Sequence, residues 1–103
     1  PRRNTTELGG SHPLRGARIA NLSPALADEI GMDVMRRGVV VLEVRRRSPA
    51  RQLGFEPGDV LVEINGEKVN SVARAKELLA RRVNRWRLAV SRGGKVMSMV
   101  VNR

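Results

Sequence analysis

Residues 48–69 read SPARQLGFEPGDVLVEINGEKV, and the reading of this stretch decides the fold. Ser48 is placed to cap a short helix, and Pro49 suits its first position, where no backbone N–H is required. Ala50 and Leu53 give that helix an apolar side, and Gly54 can close it in a left-handed conformation. Glu56-Pro57-Gly58-Asp59 predicts a β-turn, with Pro57 presetting φ and Gly58 accepting a positive value. Val60, Val62 and Ile64 alternate with Leu61 and Glu63, the period of a strand. Asn65-Gly66 is a hairpin turn signal, and Glu67-Lys68-Val69 makes a short return strand.

Upstream, Gly38 opens Val39-Val40-Val41-Leu42-Glu43-Val44. That run is apolar at both parities, which predicts a central strand covered on both faces. Earlier still, Leu14-Arg15-Gly16-Ala17 leads into Arg18-Ile19-Ala20-Asn21-Leu22. Gly16 lets the backbone turn closely, and Ala17 to Asn21 predicts a short edge strand. Ser23-Pro24 repeats the cap-plus-proline signal, with Leu26, Ala27 and Ile30 at helical spacing and Gly31 at the end. Residues 1–13 are polar and glycine-bearing, and predict a linker or extension.

Downstream, Ser71 caps a longer helix running to about Arg82, with Val72, Ala75, Leu78 and Leu79 as its apolar stripe. Trp86, Leu88 and Val90 alternate with Arg85, Arg87 and Ala89, Gly93-Gly94 turns the chain, and Val96 to Val101 returns as a hairpin. The fold class that follows is mainly β with two helices (α+β): five to six strands curled into a partly open barrel over residues 14–103.

The length of 103 residues suits one domain with one modest core. Trp86 and Phe55 are the aromatic residues, so that core must rest on Val, Leu, Ile, Met and Ala. The absence of cysteine excludes a disulfide framework and a thiolate metal site. No apolar run approaches the length of a membrane span or a signal core.

The formal charge of +10 invites a nucleic-acid or anionic-membrane reading. Yet Arg36-Arg37, Arg45-Arg46-Arg47 and Arg81-Arg82 fall in separate segments without interleaved aromatics for base stacking. A solvated basic surface is the stronger reading, and nucleic acid is not an expected partner. His12 is the sole histidine, and it reads as a solvated linker residue. Gly10-Ser11-His12 is no nucleophile elbow, because Pro13 stands where a glycine is needed. With no thiol and no paired carboxylates, the chain predicts no catalytic residue, no metal and no cofactor.

As a set, Ser48-Pro49-Ala50, Leu53-Gly54, Pro57-Gly58-Asp59-Val60-Leu61 and Ile64-Asn65-Gly66 resemble the central part of a PDZ domain. From Leu14 to Val101 the sequence is similar to the PDZ type that follows the protease domain in Do/HtrA-type (DegP/DegQ-like) periplasmic serine proteases, most of all the second, carboxy-terminal one. The resemblance implies a permuted connectivity in which a strand near the amino terminus borders the groove. It implies peptide capture by strand addition, the ligand's terminal carboxylate resting in a nest of backbone amides.

Carried onto this sequence, the carboxylate loop is Leu14, Arg15, Gly16 and Ala17. The peptide-pairing strand is Arg18, Ile19 and Ala20, and the facing helix wall is Val72, Ala75, Lys76 and Leu79. The family usually has bulky apolar residues where Arg15 and Ala17 stand. Arg15 either reaches an incoming carboxylate or points to water, and exposed charge pairs gain too little to favour the first. Gly16→Val is expected to weaken binding and to leave the fold intact.

The implied partners are C-terminal or unfolded peptides and the neighbouring protease or PDZ domains of a parent oligomer. That parent would be an exported periplasmic serine endopeptidase acting on misfolded proteins, with its catalytic triad upstream of these residues. The alternative is an interdomain or oligomer assembly module whose groove captures no peptide.

Overall fold

A computed structural model describes residues 5–10 and 12–102. Residues 1–4 and Ser11, which belong to the expected extension, lie outside it, as does Arg103. The strands are β1 (Thr5–Glu7), β2 (Ala17–Asn21), β3 (Val39–Val44), β4 (Val60–Ile64), β5 (Glu67–Lys68), β6 (Arg85–Arg92) and β7 (Lys95–Asn102). The helices are α1 (Pro24–Glu29), α2 (Pro49–Gln52) and α3 (Val72–Leu79). One open sheet runs in the order β1-β2-β3-β4-β6-β7, with β5 paired to β4, and all its neighbours are antiparallel. Among the described residues no helix is long and apolar enough to cross a membrane.

Among the described residues three helices stand where two were expected, and the strand count rises through β1. Thr5-Thr6-Glu7 has no apolar period to betray it, and only the next residue, Leu8, is buried. What makes it a strand is backbone pairing with β2, in the register Thr5↔Ala20, Thr6↔Ile19, Glu7↔Arg18. The expected extension of residues 1–13 is therefore part of the sheet from Thr5, and Leu8 and Pro13 are buried.

Each helix begins on a serine whose hydroxyl accepts a backbone N–H of the first turn. Ser23 accepts from Leu26 at 3.2 Å, Ser48 from Arg51 at 3.1 Å and Ser71 from Arg74 at 3.1 Å. The Glu56–Asp59 turn closes with the Asp59 N–H donating to the Glu56 carbonyl at 3.1 Å, Gly58 sitting at φ 96°. At the β4–β5 turn both central residues have positive φ, Asn65 at 51° and Gly66 at 82°. That matches the right-handed twist of the flanking strands.

β3 shows why its sequence is apolar at both parities. Val39 and Val41 enter the main core with Phe55, Leu61, Ile64, Leu78, Trp86, Leu88 and Val90. Val40, on the other face, packs with Ala20, Leu22, Leu26, Ala27 and Val60 beneath α1. Among the described residues one charged group is held inside: Asp59 is 1% exposed. Its carboxylate accepts from Arg92 Nε at 2.7 Å and a second guanidinium N–H at 2.8 Å, and from the Glu56 backbone N–H at 3.0 Å. The hydrogen bonds that Arg92 donates to Asp59 raise the Arg92 pKa above its ordinary value, against a smaller cost of burial. Arg92 also donates to the Gly54 carbonyl at 2.8 Å, so one side chain clasps β6 to the Gly54–Asp59 segment.

Candidate functional site

The turn ahead of β2 is built on Gly16. Its φ is 94°, and a Cβ placed there would stand 2.3 Å from Ser48 Cβ and 2.7 Å from Ser48 Oγ. Only glycine permits that approach. Ser48 is itself fixed, because its hydroxyl donates to the Arg45 carbonyl at 2.7 Å while capping α2. The loop is tied on both sides: Arg45 N–H donates to the Gly16 carbonyl at 3.0 Å and Ala50 N–H to the Arg15 carbonyl at 3.2 Å. The expectation that Gly16→Val spares the fold is thus corrected, since the added atoms enter the cap of α2. Arg15 is exposed, pointing to water, and Ala17 is fully buried.

The helix wall is held at a set distance from β2. Asn21, the last residue of β2, accepts the Val72 backbone N–H on its side-chain oxygen at 2.7 Å. Its amide therefore serves as a second cap on α3, a role no local sequence signal announced. Between β2 and α3 the two expected walls face each other: Leu14, Ala17 and Ile19 from one side and Val72, Ala75 and Leu79 from the other share one cluster. Ala20 faces the smaller cluster beneath α1 instead.

The expected open edge, however, is already paired. β2 bonds to β3 on one side and to β1 on the other. Arg18, Ile19 and Ala20, expected to pair with a peptide, each have a partner on β1. Leu8 continues the pattern: its N–H donates to the Ala17 carbonyl at 2.8 Å, and its carbonyl accepts the Gly16 N–H at 2.9 Å. The Leu8 side chain, 5% exposed, is a member of the cluster formed by the two walls. The loop amide proposed to receive a carboxylate thus receives a main-chain carbonyl from the same chain. Glu7, facing outward, pairs with Arg45 at 2.9 Å and lies 4.0 Å from Arg18.

Beside β1, toward the C-terminal end of α3, lies a cleft of about 580 Å³ lined in part by Thr6, Glu7, Gly9, Lys76, Leu79 and Arg82. Lys76 is exposed at its rim.

His12 is not the solvated linker residue expected. Its Nε2–H donates to the Gly9 carbonyl at 2.7 Å and its Nδ1 accepts the Leu14 N–H at 3.2 Å. Its ring meets the Trp86 indole edge-on, centroids 6.5 Å apart. One imidazole thereby joins the residue after Leu8 to the first residue of the loop. Burial lowers the His12 pKa below the ordinary 6.5, helped by the nearby Arg15 charge and opposed by the Gly9 hydrogen bond. Protonation would also put a hydrogen on Nδ1 against the Leu14 N–H.

The sign follows from linkage. A lowered folded-state pKa means that the unfolded chain binds more protons just below pH 6.5. The contribution of His12 to stability is therefore full above that pH and is lost as pH falls through the window beneath it. The difference in melting temperature between the native chain and His12→Gln is expected to shrink between about pH 7.5 and about pH 5. A difference that stays constant across that range would contradict the assignment. Glu7, Lys76, Arg81 and Arg82 line the same cleft as His12, so the comparison is best made at constant ionic strength.

A sheet strand faced by a helix wall, entered through a glycine turn whose amide is taken by the Leu8 carbonyl, defines the class. Residues 16–102 match the PDZ domain family, and the chain belongs to that family.

It is 30% identical over 86 residues to a probable periplasmic serine endoprotease, DegP-like, of Chlamydia muridarum, a match covering 84% of this chain and 17% of that protein. It is 31% identical over 65 residues to DegQ, the periplasmic pH-dependent serine endoprotease of Escherichia coli, covering 63% of this chain and 14% of the enzyme. The chain spans a small part of the length of these relatives. Among solved structures, the HtrA-type protease AlgW with a decapeptide aligns at a TM-score of 0.75 and 25% identity, over 97% of this chain and 29% of that one. The HtrA3 PDZ domain bound to a phage-derived ligand aligns at a TM-score of 0.66 and 25% identity, over 97% of this chain and 89% of that one.

Proposed function

We propose that the chain is the peptide-binding PDZ module of a larger DegP-like serine endoprotease of the periplasm, its second PDZ, which captures extended or C-terminal segments of unfolded proteins and so regulates their proteolysis. One observation carries this reading. Along β2, beside α3, an extended segment pairs antiparallel, buries one aliphatic side chain in the cluster that also holds Leu14, Ile19, Val72, Ala75 and Leu79, and accepts the Gly16 N–H on the carbonyl of the same aliphatic residue. Main-chain pairing supplies affinity and the side-chain pocket supplies selectivity. The names of the relatives support the parent enzyme and its compartment, and two ligand-bound neighbours support a peptide-binding role.

The test is a titration of the chain with peptides ending in an aliphatic residue, followed by backbone amide shifts. Saturable changes at Gly16, Ile19 and Val72, with affinity around micromolar, about −8 kcal/mol, are expected. Shifts confined to other faces would end the reading.

The occupied slot favours a second reading, in which the module serves assembly of the parent oligomer and captures no peptide. The two part company on the full-length protease with and without this segment. A changed assembly size with no peptide response supports the second reading, and an unchanged size with a peptide response supports the first.

A further inference from the structure

We propose that Thr5–Leu8 is a resident ligand of the slot, and that an outside peptide with leucine in the place of Leu8 and threonine two residues earlier enters only as this segment leaves. The inference rests on reading the slot as the peptide site.

The geometry gives each residue a part. Successive strand residues point to opposite faces. Leu8 fills the aliphatic pocket and Thr6, half-buried, lies on the same face at the cleft beside α3. Thr5 and Glu7 are exposed on the other. The segment does not end at Leu8. Gly10, at φ 105°, helps to reverse the chain, and His12 ties the Gly9 carbonyl to Leu14, so the loop holds an internal carbonyl as it would hold a terminal one. A ligand attached through so short a link has a high effective concentration, on the order of millimolar or above. It competes in every molecule.

The same features make the segment displaceable. It is a three-residue strand followed by one buried side chain, that of Leu8. Its ion pairs, Glu7 with Arg45 and Arg18, are solvent-facing and contribute little. The cleft along its far side gives it few neighbours toward the C-terminal end of α3. Short elements with few buried contacts open at the low end of the free-energy scale.

The experiment locks the segment reversibly. Leu8 and Ala17 are joined by a ladder hydrogen bond, so Glu7 and Arg18 form the next, non-hydrogen-bonded pair, where side chains lie closest. The chain has no cysteine of its own. Glu7→Cys with Arg18→Cys therefore allows one disulfide, across two exposed or half-exposed positions. The probe is a labelled hexapeptide with the sequence of residues 3–8 and a free carboxylate.

The reduced form is expected to bind it, and the oxidised form to bind at least about tenfold more weakly, because the competent fraction falls toward zero. The reduced form also serves as the folding control. In a second variant Glu7→Lys places like charges beside Arg45 and Arg18, and is expected to tighten peptide binding severalfold by loosening the resident segment. Equal binding by oxidised and reduced forms would overturn the inference and leave the slot a peptide site. Binding by neither form, nor by Glu7→Lys, would overturn the slot reading and the inference with it.

Discussion

Gly16→Val is expected to lower the melting temperature by about 15 °C or more, an effect larger than any surface change in this chain. Two costs add. A β-branched residue at φ 94° is strained by about 1–3 kcal/mol. Its Cβ also lands 2.3 Å from Ser48 Cβ, and pushing Ser48 aside disturbs the cap of α2 and the bond to the Arg45 carbonyl. Overpacking of that kind costs about 1–3 kcal/mol, for a total of roughly 4 kcal/mol. Gly54→Val separates the terms. Gly54 has a similar φ of 91°, but nothing lies within 4 Å of an added Cβ. It should show the backbone cost alone. Equal losses at the two positions, measured by thermal unfolding, would mean that the contact with Ser48 costs nothing.

Arg92→Leu is expected to cost about 3 kcal/mol, because it strands the Asp59 carboxylate inside the protein. Asp59 is 1% exposed and would keep the Glu56 N–H as its hydrogen-bond donor. The Arg92 side chain is 36% exposed, so solvent reaches part of the pair and the cost falls at the lower end of the range for buried pairs. Denaturant unfolding of Arg92→Leu, Asp59→Ala and the double variant gives the coupling. A double variant much more stable than the sum of the single losses predicts is the expected result. Simple additivity would show that the two side chains act independently.

Much of the fold was legible because its signals are local. The Ser-Pro pairs at Ser23 and Ser48 begin helices as capping chemistry requires, and the parity of Val39 to Val44 matched a strand between two apolar clusters. The apolar stripe of α3 was legible from its helical spacing, whereas its place opposite Gly16 and β2 was implied only by the resemblance to PDZ domains. Three features were not legible. β1 has no hydrophobic period and depends on pairing with a strand ten residues on. Pairing with β1 therefore closes the edge that the sequence of β2 alone leaves open. Asn21 lies at a strand end, where nothing nearby says that its amide meets the start of α3. His12 looked solvated because its partners, Gly9, Leu14 and Trp86, converge on it only after the loop has folded.

Trp86 is the lone indole, and the sequence has no tyrosine. It is 2% exposed, edge-on to His12 and within the cluster that receives Leu8. The protein therefore carries an intrinsic fluorophore at the junction between its own amino-terminal segment and the glycine turn. Its emission spectrum should follow the movement of that segment without any attached dye, and a single excitation near the indole band would report on no other aromatic environment.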